Sequence, residues 1–151
     1  MTTSARPWLT PRTHRDLLAE RADLVRARST GDDPDSIVQN RHRRARIRRI
    51  DHILRAAVVG EDPPDDGIAE PGMVLTVRYD GTDTAETFLL GVRTGTKQDD
   101  LEVCSPDSPL GRALAGARPG EERTHRVPGG ATVRVILVDA QPYGKFRRPA
   151  R

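Results

Sequence analysis

One short segment, from Ser105 to Gly116, constrains the fold more than any other stretch of this 151-residue chain. Ser108 is a natural N-cap, because its hydroxyl can accept a hydrogen bond from an unpaired backbone N–H of a first helical turn. Pro109 follows at the first helical position, where a missing N–H costs nothing. Three apolar residues then share one face at helical spacing: Leu110, Ala113 and Leu114. Since Gly116 suits the left-handed residue that ends a helix, the segment predicts one short helix set between strands.

The residues around this helix alternate between strand-like runs and turn signals. Five strands are predicted: 73–79, 84–90, 101–104, 122–127 and 131–139. Asp80-Gly81 and Pro128-Gly129-Gly130 are typical of the turns between hairpin strands. Strands with one inserted helix predict an α+β domain over residues 72–142, in which an antiparallel sheet is covered on one face by the short helix. Residues 143–151 are predicted to form a disordered basic tail.

Residues 1–60 show helical periodicity instead. Between Pro11 and Ser29, two apolar pairs recur seven residues apart: Leu17 with Leu24, and Leu18 with Val25. A second apolar stripe lies between Pro34 and Val59, at Ile47, Ile50, Leu54 and Ala57. The two stripes are separated by a short polar turn rich in Gly, Asp and Pro, which predicts two consecutive helices connected by that turn.

Two helices joined by a short turn must lie antiparallel, so residues 1–60 are predicted to form a helical hairpin, a two-helix coiled coil that projects as an arm. After a loose lead-in, Trp8 and Leu9 are expected to pack as a staple ahead of the first helix. Residues 61–71 contain three prolines and several acidic residues, a composition typical of a stiff, solvated linker. The domain boundary is predicted there.

Charge divides the chain as the periodicity does. The first 60 residues carry 13 arginines against 7 acidic residues, whereas residues 61–151 carry three more acidic than basic side chains. A basic half suggests a polyanionic or acidic partner. The single cysteine, Cys104, excludes an internal disulfide and a cysteine-based zinc site, which fits a cytoplasmic protein. No apolar run approaches the length of a membrane span, so no membrane partner is expected.

The sequence offers little catalytic chemistry. Its four histidines are scattered, at positions 14, 42, 52 and 125, without metal-ligand spacing to acidic residues. Ser105, Ser108 and Cys104 have no recognisable base partner, which argues against nucleophilic catalysis. We therefore expect neither an enzyme nor a cofactor bound by the isolated chain, which is predicted to be a monomer.

The capped helix and its surroundings resemble the C-terminal domain of the Gre family of bacterial transcript-cleavage factors. The resemblance rests on the sequence Ser-Pro-Leu-Gly-Arg-Ala-Leu from Ser108 to Leu114, and on Pro128-Gly129-Gly130 with the strand after it. It covers about residues 72–139. Leu9-Thr10-Pro11 and the ending of the second helix also resemble the family's arm. The resemblance implies an FKBP-like topology and an accessory factor that acts through the secondary channel of RNA polymerase. It places polymerase docking at Ser108, Pro109, Leu110, Gly111 and Arg112.

The turn between the two helices resembles the acidic tip of that arm. Gre factors carry Gly-Asp and, two positions later, Glu, where this chain has Gly31-Asp32-Asp33-Pro34-Asp35. The resemblance implies that the tip acids Asp32, Asp33 and Asp35 act at the polymerase active site, with Asp32 and Asp35 helping to hold a Mg²⁺ ion shared with the polymerase. Alternatively, Asp33 caps the second helix ahead of Pro34, and the acids serve the helix end.

Two departures from the family keep a second function open. The arm is shorter than usual in its first helix, and Asp35 is one methylene shorter than the Glu that it replaces. Relatives with short arms or altered tips bind polymerase without stimulating cleavage, and some inhibit transcription. The sequence therefore predicts either a factor that promotes cleavage of backtracked transcripts or a Gre-like inhibitor that occupies the channel.

Six arginines crowd the second helix: Arg41, Arg43, Arg44, Arg46, Arg48 and Arg49. Helical spacing puts positions 41, 44 and 48 on one face and 43, 46 and 49 roughly on another. Arginines recognise phosphate through charge and forked donors, so contact with nascent RNA or DNA is one interpretation. A solvated charged face is the other, and an independent nucleic-acid-binding protein is a further alternative. The cluster has no interleaved aromatic residues for base stacking.

Overall fold

A computed structural model of the protein describes residues 7–27, 31, 33–92 and 101–147. Within them the chain forms a helical hairpin followed by a sheet domain. The elements in order are β1 (Trp8–Leu9), α1 (Pro11–Arg26), α2 (Pro34–Ala56), β2 (Val58–Val59), β3 (Met73–Tyr79), β4 (Ala85–Leu90), β5 (Glu102–Cys104), α3 (Pro109–Leu114), β6 (Glu122–Arg126), β7 (Thr132–Pro142) and α4 (Tyr143–Arg147). The α+β class predicted from the sequence is confirmed.

Helices α1 and α2 form the predicted antiparallel hairpin. Leu17 and Ile50 are buried together with Leu9, and Leu24, Ile53, Leu54 and Ala57 pack around them. The stripe that contains Leu18 and Val25 is different, because these side chains are 46% and 50% exposed. The two pairs of the seven-residue repeat therefore differ: Leu17 and Leu24 pack in the hairpin, whereas Leu18 and Val25 do not, since a hairpin of two helices buries one seam.

The base of the hairpin is closed by a small parallel sheet. Trp8 pairs with Val58, and Leu9 pairs with Val59. Helix α2 accordingly ends at Ala56, three residues earlier than predicted, because Ala57 is extended and two β-branched valines follow it. The segment ahead of α1 is thus a buried strand from Trp8 onward rather than a loose lead-in, with Trp8 and Leu9 3% and 1% exposed.

The five-stranded sheet has the order β5-β4-β3-β7-β6. Its strands match the five predicted runs to within a few residues, and β3 pairs antiparallel with both β4 and β7, as does β6 with β7. The pair β4–β5 is parallel, with Leu89 beside Val103, so the prediction of a wholly antiparallel sheet was wrong at this edge. A three-residue strand shows the same alternation in either direction, which leaves its orientation unreadable from the sequence.

The two faces of the sheet bury separate sets of side chains. Leu75, Phe88 and Leu137 pack beneath α3, together with Leu114. Val74 and Leu89 point to the opposite face, where Trp8 and Tyr143 cover them. Tyr143 is 5% exposed and begins α4, so residues 143–147 are ordered and the prediction of a disordered tail was wrong there. These residues are ordered because Tyr143 packs over the apolar side chains Val74 and Leu89 on this face of the sheet.

The remaining organisational predictions keep their status. Residues 148–151 of the predicted tail lie outside the described part of the chain. The boundaries at residues 60, 71 and 142 and the FKBP-like topology stay predictions. Across the described ranges, no helix combines the length and apolarity needed to cross a bilayer.

Candidate functional site

The turn that opens α2 lies at the opposite end of that helix from the β1–β2 pair at the base of the hairpin. Asp33 is the N-cap of α2: it accepts hydrogen bonds from the Ser36 backbone N–H at 3.3 Å and the Ser36 hydroxyl at 2.6 Å. The Ser36 hydroxyl hydrogen bond lowers the pKa of Asp33, and the Ser36 backbone N–H adds to the effect. Pro34 occupies the first helical position, where its missing N–H costs nothing. The capping interpretation of Asp33 is therefore confirmed.

Of the two predicted metal ligands, the structure describes Asp35 but not Asp32. Asp35 is exposed in the first turn of α2, where the positive end of the helix dipole favours a carboxylate. Asp32 lies outside the described residues. In the ranges that the structure describes, no three His, Cys, Asp or Glu side chains converge as a metal site. A carboxylate such as Asp35 suits Mg²⁺ as one hard oxygen ligand, but the remaining ligands would have to come from another molecule. The shared metal site stays a prediction.

Two of the six clustered arginines connect the helices of the hairpin. Arg46 forms a forked pair with Glu20, with Arg46 Nη2 2.9 Å from Glu20 Oε1. This hydrogen-bonded pair lowers the pKa of Glu20 and raises that of Arg46. Arg43 donates to the Leu24 carbonyl oxygen at 3.2 Å. In a second ion pair the arginine is on the other helix: Arg21 of α1 binds Asp51 of α2, with 2.6 Å between Nε and Oδ1. These contacts join α1 to α2 across the hairpin.

Three other arginines form an open cationic surface. Arg41, Arg44 and Arg48 are exposed and line a shallow groove of about 370 Å³ together with Ile37 and Asn40. We call this set of five residues the arginine groove. The predicted division by helical face is thus seen for five of the six arginines, because positions 43 and 46 contact α1 and positions 41, 44 and 48 face solvent. Arg49 is also exposed but does not line the groove.

The predicted docking residues open α3 under tight local constraint. The Ser108 hydroxyl accepts from the Gly111 backbone N–H at 3.0 Å and donates to the Ser105 carbonyl oxygen at 2.7 Å. Gly111 is obligatory, because a Cβ there would lie 2.1 Å from the Ser105 carbonyl oxygen. The turn from Ser105 to Ser108 is therefore held against the helix. Pro109 and Arg112 are exposed beside it, whereas Leu110 is half-buried.

Beside this helix lies a groove that the sequence did not predict. It has a volume of about 690 Å³ and is lined by Phe88, Val103, Cys104, Ser108 and Leu110, with Glu86 and Glu102 at its margin. We call it the sheet groove. Its apolar floor comes from neighbouring strands β4 and β5, whose parallel pairing no local pattern revealed. The nearby Tyr79 has its pKa raised, first by burial and then by Glu86 and Cys104. Ser108 and Leu110, two of the five predicted docking residues, thus line a concave surface that also carries Glu86 and Glu102.

Comparison with known proteins gives this geometry a context. Residues 64–140 match the family model described as the C-terminal domain of transcription elongation factors GreA/GreB. The chain is 40% identical to transcription elongation factor GreA of Mycobacteroides abscessus over 163 residues, covering 95% of this chain and 99% of that protein. It is 50% identical to the same factor of Saccharopolyspora erythraea over 102 residues, covering 68% of this chain and 63% of the relative, so that alignment spans less than two thirds of the relative's length.

Similarity to solved structures is weaker. GreA factor homolog 1 of Thermus thermophilus aligns over 91% of this chain and 99% of its own, with a TM-score of 0.39 and 22% identity.

Proposed function

The chain belongs to the GreA/GreB family of transcription elongation factors, and from that membership we propose that it binds RNA polymerase and acts through the secondary channel. In this proposal the sheet domain docks at the rim of the channel and the helical hairpin enters it. The family consists of accessory factors to RNA polymerase, so the chain itself is not an enzyme.

The observation that carries the proposal is the separation of the acidic turn from the sheet domain along the length of the hairpin. The buried seam of the hairpin lies toward its base, where Leu9 and Ala57 pack with Val92 of the sheet domain. The acidic turn at Asp33 and Asp35 lies at the other end of α2, a helix of 23 residues. At about 1.5 Å per residue, α2 carries the turn roughly 34 Å from its C-terminal end. In this proposal a helical hairpin of that length enters the narrow secondary channel while the sheet domain stays outside it.

We further propose that the tip supplies ligands to a Mg²⁺ ion shared with the polymerase, through Asp32 and Asp35. Mg²⁺ needs one or two carboxylates from one protein when another supplies the rest of its octahedral shell. A second metal would stabilise the attacking and leaving oxygens when the polymerase hydrolyses a backtracked transcript. Asp33 contributes indirectly, because its cap holds the first turn of α2 in place beside Asp35.

A transcript-cleavage assay on stalled polymerase complexes tests this role. Asp32→Asn and Asp35→Asn remove a charge without changing shape, and each is expected to reduce cleavage that depends on the factor. Asp16→Asn is the control, because Asp16 is an exposed acid on α1 away from the turn. Rising Mg²⁺ concentration should partly restore cleavage by the tip variants, since a missing ligand weakens metal affinity. Full activity of both variants would contradict metal delivery.

The short side chain at position 35 favours a second candidate function, a channel-occupying inhibitor. Asp35 is one methylene shorter than the Glu that Gre factors carry at the corresponding position, so its carboxylate extends less far from the helix toward a metal. In the same assay an inhibitor slows elongation, competes with an ordinary cleavage factor, and acts equally well after Asp35→Asn. Metal delivery predicts the opposite on each count.

We propose that the arginine groove contacts the transcript. Arg41, Arg44 and Arg48 present guanidinium groups along one helical face of α2, about 10 to 21 Å along the helix axis from its first residue, Pro34. Photocrosslinking to the RNA 3′ end in a polymerase complex should fall after Arg44→Gln. The control is Arg12→Gln, an exposed arginine at the base of α1. Tight binding to RNA without polymerase would favour an independent nucleic-acid-binding protein instead.

We propose that RNA polymerase docks on Ser108–Arg112 and the adjoining sheet groove. Arg112 is exposed in the last turn of α3. A pull-down with purified RNA polymerase should lose binding after Arg112→Glu. It should be unchanged after Arg126→Glu, since Arg126 is exposed on β6, at the opposite edge of the sheet from β5. Equal binding by both variants would move the docking surface elsewhere.

A further inference from the structure

The side chain of Trp8 lies where four segments of the chain meet. Its strand belongs to the base of the hairpin, and its carbonyl oxygen accepts from the Val92 backbone N–H of the sheet domain at 3.1 Å. The indole N–H donates to the Glu61 carbonyl oxygen of the linker at 2.7 Å. The ring packs edge to face against Tyr143, with 5.6 Å between ring centroids. One residue thus connects the hairpin, the linker, the sheet and the C-terminal turn.

The C-terminal turn is itself tied to both the linker and the sheet. The Tyr143 backbone N–H donates to the Gly72 carbonyl oxygen at 2.9 Å. The Gly144 N–H donates to Asp62 Oδ1 at 2.8 Å, and Lys145 Nζ lies 2.8 Å from Asp65 Oδ2. The first two bonds use backbone donors in fixed positions, whereas the lysine pair is exposed and weak. The turn therefore bridges the linker and β3 directly over Trp8.

Close approach makes these contacts sensitive to shape. Gly72 has φ +99°, and a Cβ there would lie 2.7 Å from the Trp8 indole nitrogen. On another side of Trp8, a cavity of about 470 Å³ remains between the hairpin base and the linker, bordered by Val58, Pro63 and Glu70. Burial raises the pKa of Glu70, and Asp66 adds to this effect. Packing around Trp8 is thus tight at Gly72 and open at the cavity bordered by Val58, Pro63 and Glu70.

We propose that residues 143–145 form a clasp that sets the direction of the hairpin relative to the sheet domain, and so positions the tip. The functional part of this inference rests on the proposed entry of the hairpin into the polymerase. The lever is long: a rotation of 10° at the base would move the end of an α2 about 34 Å long by about 6 Å. Since a misplacement of about 1 Å can cost a reaction about 100-fold, the clasp is a positioning element for chemistry at the far end of the molecule.

Distance measurement between two spin labels tests the clasp without polymerase. The labels are placed by Gln39→Cys near the tip and Thr124→Cys on β6, both exposed positions, in a full-length Cys104→Ser background. We expect one narrow distance distribution for this protein. Tyr143→Ala removes the aromatic contact and Asp62→Ala removes the acceptor of the Gly144 N–H. Each should broaden the distribution and shift it by several Å. Phe146→Ser, at a 41% exposed residue of the same turn, should leave it unchanged.

Circular dichroism of the same samples shows whether the sheet remains folded. If Tyr143→Ala unfolds the sheet, Asp62→Ala still decides the question, because Asp62 is exposed and belongs to none of the three apolar clusters. Narrow, unshifted distances in folded Asp62→Ala and Tyr143→Ala would overturn the clasp. So would equal broadening by Phe146→Ser. With polymerase added, the clasp predicts that Asp62→Ala keeps docking affinity but loses the tip-dependent effect. A failure of docking itself would count against the proposed function and leave the distance result standing.

Discussion

Adjacent leucines of α1 provide a direct test of how the hairpin is stabilised. Leu17 is 1% exposed against Ile50, whereas Leu18 is 46% exposed. Leu17→Ala removes three buried carbons, which at about 0.8 kcal/mol each is worth about 2.4 kcal/mol before any cavity is counted. Because the buried centre of the hairpin consists of Leu9, Leu17 and Ile50, little surrounds the site that could fill the space. We expect a total loss of about 3 kcal/mol.

Leu18→Ala is the control, with the same chemical change one residue away. Alanine is the better helix former and little apolar area is lost, so the free energy of unfolding should change by less than about 0.5 kcal/mol. Urea unfolding followed by helical circular dichroism measures both variants. Similar losses for the two substitutions would refute the assignment of one seam to Leu17, and would show that the stripe through Leu18 and Val25 is also covered in solution.

Three further predictions follow from single contacts. Gly111→Ala forces a Cβ against the Ser105 carbonyl oxygen and should lower the free energy of unfolding in urea by about 3 kcal/mol. Gly129→Ala is the control and should be nearly neutral, because the space around Gly129 is open. The pKa values of Glu20 and Asp51 are lowered by hydrogen bonds from Arg46 and Arg21, from ordinary values of 4.5 and 3.8. The contribution of these ion pairs to the free energy of unfolding should therefore be complete above about pH 4.5 and be lost as the pH falls through the lowered pKa values of the folded state. Measured as the urea midpoint against pH, this dependence should be weaker in Glu20→Gln. If the three groove arginines each neutralise one phosphate, the logarithm of single-stranded RNA affinity should fall with log salt at a slope of about −2, and a slope near −4 would mean that the whole cluster takes part.

Elements decided by neighbouring residues were predictable from the sequence. The caps at Ser108 and Asp33 act on backbone groups three residues away, and each is followed by proline at the first helical position. Helices α2 and α3 accordingly begin where expected. Strand β3 was also predicted with its observed bounds, because the Asp80-Gly81 turn marks its end. In all these places the energy that selects the structure is local and is written within a few residues.

Elements decided by distant partners were not predictable. Nothing near Trp8 indicates that it pairs with Val58 and packs on Tyr143, since those partners lie 50 and 135 positions away. The same holds for the sheet groove, which exists because β5 lies parallel to β4. The order of residues 143–147 likewise depends on Gly72 and Asp62. In each case a short segment with weak local preference is ordered by a surface that the rest of the chain builds.

The arginine cluster shows how the two kinds of information combine. Helical spacing alone separates positions 41, 44 and 48 from 43 and 46, but it cannot say which set faces α1. The hairpin register decides this, because it brings Glu20 to Arg46 and the Leu24 carbonyl to Arg43. Those two guanidinium groups serve the stability of the hairpin, so the cationic surface open to a phosphate is smaller than the count of six suggests. It is also better placed, since the arginine groove begins at Ile37, one turn from the acidic cap. At about 1.5 Å per residue, a phosphate bound at Arg41 would lie about 9 Å along the helix axis from Asp35, so the cationic groove and the acidic turn share the N-terminal half of α2.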